Sequence, residues 1–223
     1  MLRTRPVRRR ALLLTLIALS LTSCGKKDDA LAGSGVQARK TRNVPAFKRL
    51  WVGGVLVVRV SVGKDGPMEL KGDDNLLEHV TSRLENGVLK LDVDTKVKKR
   101  MPLEVTLSTA ELEAVSAVVA SRVDVQGVKA KAFEAKAGGA AHITATGSAE
   151  TLTVTATGAA QVDLSALPAA AATVRMEQAG TAKFGYLEKL DVTASGPSRV
   201  FYQGDPQLKK EIRKPARLVQ GGS

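Results

Sequence analysis

The chain has 223 residues, a formal net charge of +12, one cysteine and only 3 % aromatic residues. That length accommodates one domain with a real core. A single cysteine excludes an internal disulfide and a thiolate metal centre. The scarcity of aromatics, with none interleaved among the basic residues, argues against a nucleic-acid stacking platform despite the basicity.

In chain order, "MLRTRPVRRR" supplies five arginines and no acid, and "ALLLTLIALSL" follows as an apolar run from Ala11 to Leu21. A membrane-spanning helix needs about 20 apolar residues, so residues 1–23 read as a secretory signal peptide outside the fold. Without its arginines the charge falls to about +7. "LTSC", Leu21 to Cys24, resembles the bacterial lipobox and stands directly after the apolar run. The resemblance implies cleavage between Ser23 and Cys24, a thioether-linked diacylglycerol on Cys24, and acylation of its freed amine. Each buried methylene contributes about 0.8 kcal/mol, so three acyl chains would anchor the protein almost irreversibly. Gly25, where an Asp would signal inner-membrane retention, points to the outer membrane.

Residues 24–43 read as a flexible tether, polar and without period, containing Gly33-Ser34-Gly35. From Val44 to Asp205 the texture is β. "LWVGGVLVVRVSV" is valine-rich and alternating, and its Gly53-Gly54 pair suggests a bend or a close backbone approach. "GKDGP" is a turn, "MELKGD" a short strand, and "DDNLLEHV" either a strand or one helical turn. Asn86-Gly87 between two alternating runs signals a hairpin. "TKVKKRMP" is a basic loop, and "LEVTLST" is again a strand.

A repeat begins near Leu112. Val115, Ala135, Val154, Val174 and Val192 are equivalent, with separations of 20, 19, 20 and 18 residues. Six residues after each stands a small residue: Ser121, Ala141, Ala160, Gly180 and Ser198. Seven after each is polar, namely Arg122, His142, Gln161, Thr181 and Arg199. Eight after each is apolar: Val123, Ile143, Val162, Ala182 and Val200. Twelve after each stand Gly127, Gly147, Ala166, Tyr186 and Gly204, and the three glycines suit a second corner with positive φ. No single copy can bury its apolar face, but copies stacked along one axis share a core and pair backbones rung to rung. The expected fold is all-β, a right-handed parallel β-helix preceded by a β-rich segment containing a hairpin. An antiparallel sandwich or barrel is the competing reading. It explains the Asn86-Gly87 hairpin better and the constant register less well.

The chain also resembles the bacterial head GIN domain, an autotransporter adhesin domain, over roughly Val44 to Gly204. The resemblance rests on the lipoprotein signal, "GSG" followed by "VPAFKRLWVGGVLVVRV", "DDNLLEHVTSRLENGVLKLDV", and repeats of the "VTATGAAQVDL" and "VTASGPSRVFYQG" type. It implies a secreted or surface β-helical domain without assigned catalytic residues. The basic tail "LKKEIRKPARL" lies outside it.

Catalytic signals are thin. His79 and His142 have no ligand partners at metal spacing, no cofactor or phosphate-binding motif is present, and His142 reads as a solvated corner residue. Asp124 and Asp163 sit two rungs apart, about 10 Å at ~4.8 Å per rung, with Thr144 between them. That is at or beyond the spacing of an inverting carboxylate pair, which leaves a polysaccharide-cleaving enzyme a minor alternative. Asp73, Asp74, Asp92 and Asp94 read as a solvated face rather than a calcium site. Residues 206–223 read as a basic tail or cap. Lys209, Lys210, Arg213, Lys214 and Arg217 could meet an anionic partner, each worth about 1 kcal/mol near an anionic membrane, while Leu208, Ile212 and Leu218 could cover the last rung.

The functional expectation is a non-catalytic, outer-membrane lipoprotein. It would bind anionic glycans, lipids or an envelope protein, without nucleic acid, metal or cofactor. The alternative is a periplasmic structural protein acting as a homo-oligomer through exposed strand edges.

Overall fold

Stacked coils account for nearly all of the computed structural model, which describes residues 30–221. The signal peptide, Ser23 and Cys24 lie outside the described residues. The strands are β1 (Leu31–Ala32), β2 (Gln37–Arg42), β3 (Arg49–Val52), β4 (Val57–Val62) and β5 (Met68–Asp73). After a 3-10 helix (Asp74–His79) come β6 (Val80–Glu85), β7 (Val88–Val93), β8 (Val97–Lys98), β9 (Glu104–Thr109) and β10 (Ala114–Ala117). The remainder are β11 (Arg122–Ala137), β12 (His142–Ala156), β13 (Gln161–Leu164), β14 (Ala171–Met176), β15 (Thr181–Tyr186), β16 (Lys189–Ala194), β17 (Arg199–Gln203), β18 (Gln207–Ile212) and β19 (Arg217–Gly221).

The register of the ladders is the register of the sequence repeat. Val115, Ala135, Val154, Val174 and Val192 lie one above another in parallel pairing. Val123, Ile143, Val162, Ala182 and Val200 do the same on the facing sheet. The chain is therefore a β-solenoid, and the sandwich reading fails because Val154 and Val174 are direct rung neighbours. β11 and β12 are long enough to run through both sheets, bending where the register shifts between Val125 and Val128. Inward residues alternate with outward ones, as in β13, where Val162 and Leu164 are buried and Gln161 is exposed. Phe133, Phe184 and Met176 fill the column beside the expected Val, Ala, Leu and Ile.

Both corners are sterically specified. The small residues six after each anchor are all buried. A Cβ on Gly180 would stand 2.9 Å from the Met176 methyl and 3.2 Å from the Ala160 carbonyl oxygen. Ser121 and Ser198 occupy the same position and donate their hydroxyls to the carbonyls of Val118 and Ser195. A further repeat position lies four after each anchor. Val119, Gly139, Gly158, Gln178 and Gly196 all take positive φ, between 66° and 77°. At Gly139 the packing adds to the dihedral requirement, because a Cβ there would lie 2.8 Å from the Val119 oxygen of the coil below.

The column extends beyond the five sequence copies in both directions. Leu50 pairs with Val115 on one side and Leu89 on the other, and Val58 likewise with Val123 and Val105. At the far end Val192 pairs with Lys210 and Val200 with Leu218. Seven parallel pairings thus join eight strands in each sheet. Spatial order departs from chain order, since the β3–β4 coil sits between the later β7–β9 coil and β10. The intervening chain caps that end: β6 pairs antiparallel with β7, β5 with β9, and β2 with β5. The β6–β7 hairpin turns at Asn86 and Gly87, both with positive φ. "DNLLEH", Asp74–His79, is helical rather than extended and buries Leu76 and Leu77.

The tether reading of residues 24–43 is corrected from residue 30 onward. β1 pairs with β8, and β2 pairs along its whole length with β5. The segment shows no apolar period because it is an outer strand held by polar contacts. Arg42 donates its guanidinium to the Leu77 and Val80 carbonyls. Asp73 is corrected too: its carboxylate is buried and accepts the backbone N–H of Gly35, Arg100 and Met101 at 2.8, 3.0 and 3.1 Å. Burial pushes this carboxyl up. The three backbone donors and the nearby Arg100 charge outweigh it and hold the group below the usual carboxylate range.

Candidate binding surface at the open end

Residues 206–223, read as a tail or cap, form an additional coil as far as they are described. Gln207 to Ile212 pair residue for residue with Lys189 to Ala194, and Arg217 to Gly221 with Arg199 to Gln203. The corner between them passes a cis Lys214–Pro215 bond, and Ala216 fills the buried small-residue position. Leu208, Lys210 and Ile212 stand in register with the buried Leu190, Val192 and Ala194. Nothing among the described residues lies beyond them. Leu208 is 36 % exposed, and Lys210, Ile212 and Leu218 line a hollow of about 400 Å³ at the mouth of the column. A lysine in a core register is compatible with folding only because this coil has solvent on one side. Such an inward charge also blunts the free edge against strand addition.

All five predicted basic residues therefore come together on this coil. Lys209 is held by Asp191 at 3.0 Å, and Arg213 by Glu211 at 2.7 Å. Lys210, Lys214 and Arg217 make no ion pair among the described residues. Of these three cations Lys210 shares the hollow with Ile212 and Leu218, while Lys214 and Arg217 lie further along the same coil. Beside it, Thr173, Lys189, Asp191, Gln207 and Lys209 outline a shallow depression of about 330 Å³ on the outer sheet face. Sequence reasoning found the cations but missed the coil. The available signal was spacing, since Lys210 and Leu218 each follow their equivalents, Val192 and Val200, by 18 residues.

The other candidates do not assemble into a reactive site. Asp124, Thr144 and Asp163 occupy successive rungs, as the repeat required. Asp163 accepts the Ser165 N–H and hydroxyl at 3.1 and 2.6 Å and lies 3.5 Å from the Lys183 ammonium. Burial raises its pKa, but the Ser165 hydrogen bonds and the Lys183 charge prevail and leave it lowered. A carboxylate so satisfied is suited to holding a turn, not to donating a proton. His79 Nδ1 stands 2.8 Å from Asp94, a partner its sequence context did not reveal, and His142 is half-buried on the outer face. Asp92 Oδ1 accepts the Val93 N–H, and the Asp74 carboxylate accepts the Ser34 hydroxyl. No group of three metal-ligating side chains converges among the described residues. A groove of about 610 Å³ has mixed charge from Arg49, Glu111, Glu113, Lys129, Lys131 and Glu134. Among the described residues no helix is long and apolar enough to cross a membrane.

Comparison with known proteins follows the fold. Residues 46–206 match the family described as "Putative auto-transporter adhesin, head GIN domain". A crystal structure of a "putative adhesin" from Bacteroides fragilis NCTC 9343 superposes with a TM-score of 0.66 at 17 % identity, covering 86 % of this chain and 98 % of that one. A "putative adhesin" from Parabacteroides merdae ATCC 43184 gives 0.56 at 15 % identity, covering 87 % and 100 %. A "Putative lipid binding protein" from Parabacteroides distasonis ATCC 8503 gives 0.50 at 14 %, covering 86 % and 100 %. At such identities these likenesses concern the fold. No curated protein matches the sequence. With the family match spanning most of its length, the chain belongs to the head GIN domain family of auto-transporter adhesin type.

Proposed function

We propose that this protein is a non-catalytic binding module of the cell envelope, held on the outer membrane through acylated Cys24, with the open last coil as its ligand-binding end. The observation that carries this reading is that Lys210, Lys214 and Arg217, all on the last coil, make no ion pair among the described residues, with Lys210 lining the hollow at the mouth of the column. Exposed cations beside half-exposed Leu208, Ile212 and Leu218 suit an extended anionic ligand, such as an acidic glycan. The adhesin description of the family supports binding over catalysis. Titration of an acidic polysaccharide tests it. Reversing Lys210, Lys214 and Arg217 to Glu should abolish salt-sensitive binding and leave the melting temperature nearly unchanged. Unaltered binding would refute the assignment.

Self-association is the second reading, favoured by the unpaired outer edges of β18 and β19. Like charges across a tail-to-tail contact oppose it. Sedimentation decides: a monomer at all concentrations favours ligand binding, and concentration-dependent oligomers favour assembly.

A further inference from the structure

We infer that the capped end of the solenoid is a membrane-docking platform, in which the basic loop Lys96–Arg100 lies on anionic lipid headgroups and orients the domain. This rests on the lipid-anchor reading of Cys24. The pairing of β1 with β8 carries the inference, because it sets Leu31 opposite Val97 and Ala32 opposite Lys98. The Gly33 N–H donates to the Lys98 carbonyl at 2.9 Å. Leu31 follows Cys24 by seven positions, a reach of at most about 25 Å. A loop distant in sequence is thereby fixed next to the point where the anchored chain enters the fold.

The chemistry of that surface fits a bilayer. Lys96, Lys99 and Arg100 are exposed. The Lys99 ammonium donates to the Val55 carbonyl, which fixes the cation without neutralising it. Of the nearby acids, Asp73 is buried beneath the loop, Asp94 faces His79, and Asp74 is occupied by Ser34. Two of the few large apolar side chains exposed in the described structure, Leu31 and Val36, belong to this entering segment at 36 % and 59 % exposure. Cations with apolar side chains beside them match the headgroup boundary, and a basic patch beside an acyl anchor is the usual second signal for stable attachment. In this orientation the open coil stands away from the membrane by seven rung steps, roughly 34 Å.

The test uses the full acylated chain reconstituted in phosphatidylcholine vesicles with and without phosphatidylglycerol. Acylation consumes the Cys24 thiol, so Val36→Cys or Lys214→Cys can each carry a single fluorophore, read against a headgroup-borne quencher. Quenching at position 36 should exceed that at 214 several-fold in anionic vesicles and fall in high salt. Lys96→Glu with Lys99→Glu should lower the docked-to-free ratio by at least roughly 25-fold, at about fivefold per lost cation. Equal quenching at the two positions, or quenching indifferent to the charge reversal, overturns the docking. A chain that fails to float with either vesicle overturns the anchor reading and the docking with it.

Discussion

The two ends of the solenoid solve the same problem differently. At one end the terminal strands β7 and β9 are covered by antiparallel strands, the buried Leu76 and Leu77, and a buried carboxylate. At the other, β18 and β19 stop at a parallel edge with a lysine in the core register. A stacked column must end somewhere, and its last apolar layer must be covered or made partly polar. The closed end covers it and so stores stability. The open end makes it polar, gives up stability, and leaves a charged rim free for a ligand.

Leucines in the two terminal coils should respond unequally. Leu89→Ala removes a fully buried side chain and should cost about 2–5 kcal/mol. Leu208→Ala, from a side chain already 36 % exposed, should cost under about 1 kcal/mol. Chemical denaturation of both variants checks this, and equal losses would erase the distinction. Deleting residues 206–223 should lower the melting temperature modestly and leave the rest folded, because coils contact only their neighbours. Deleting residues 30–43 should disrupt the cap and protect far fewer amides in β5 and β9 on hydrogen exchange.

Acid sharpens the comparison further. The Asp73 carboxyl is lowered in the folded chain from its ordinary 3.8. Its stabilisation is therefore complete above about pH 4 and is lost as pH falls through the folded value. Melting temperature should drop below pH 4 in the wild type and drop less in Asp73→Asn, which starts lower at pH 7. A wild-type curve flat down to pH 3 would contradict the role given to Asp73. The smallest effect is expected in the middle of the column. Val119 holds φ 66° where the equivalent Gly139 and Gly158 do so without strain, so Val119→Gly should stabilise by up to about 1 kcal/mol. That is a rise of a few degrees in a thermal melt.

How much of this was legible follows from which residues face the core. Where inward positions are Val, Ile, Leu or Ala and the corner is small, as from Val115 to Val200, the alternation exposed the ladder register directly. The last coil kept the spacing but placed Lys210 at the anchor, which hides the copy from any apolar pattern. The β3–β4 coil kept Leu50 and Val58 but has Leu56 at the small corner, and its neighbour coil is stretched by the basic loop between β7 and β9. Strand β2 was illegible because backbone pairing and ion pairs, such as Arg39 with Glu69 and Lys40 with Glu78, replace apolar burial. The basic residues of the last coil were visible as composition, but their arrangement depended on a coil that composition cannot show.

The most direct measurement is a hydrogen-exchange footprint of the intact chain with and without an acidic polysaccharide. Slowed exchange confined to residues 207–221 is the expected result. Protection centred on the mixed-charge groove at Arg49, Glu111 and Glu113, or none anywhere, would contradict it.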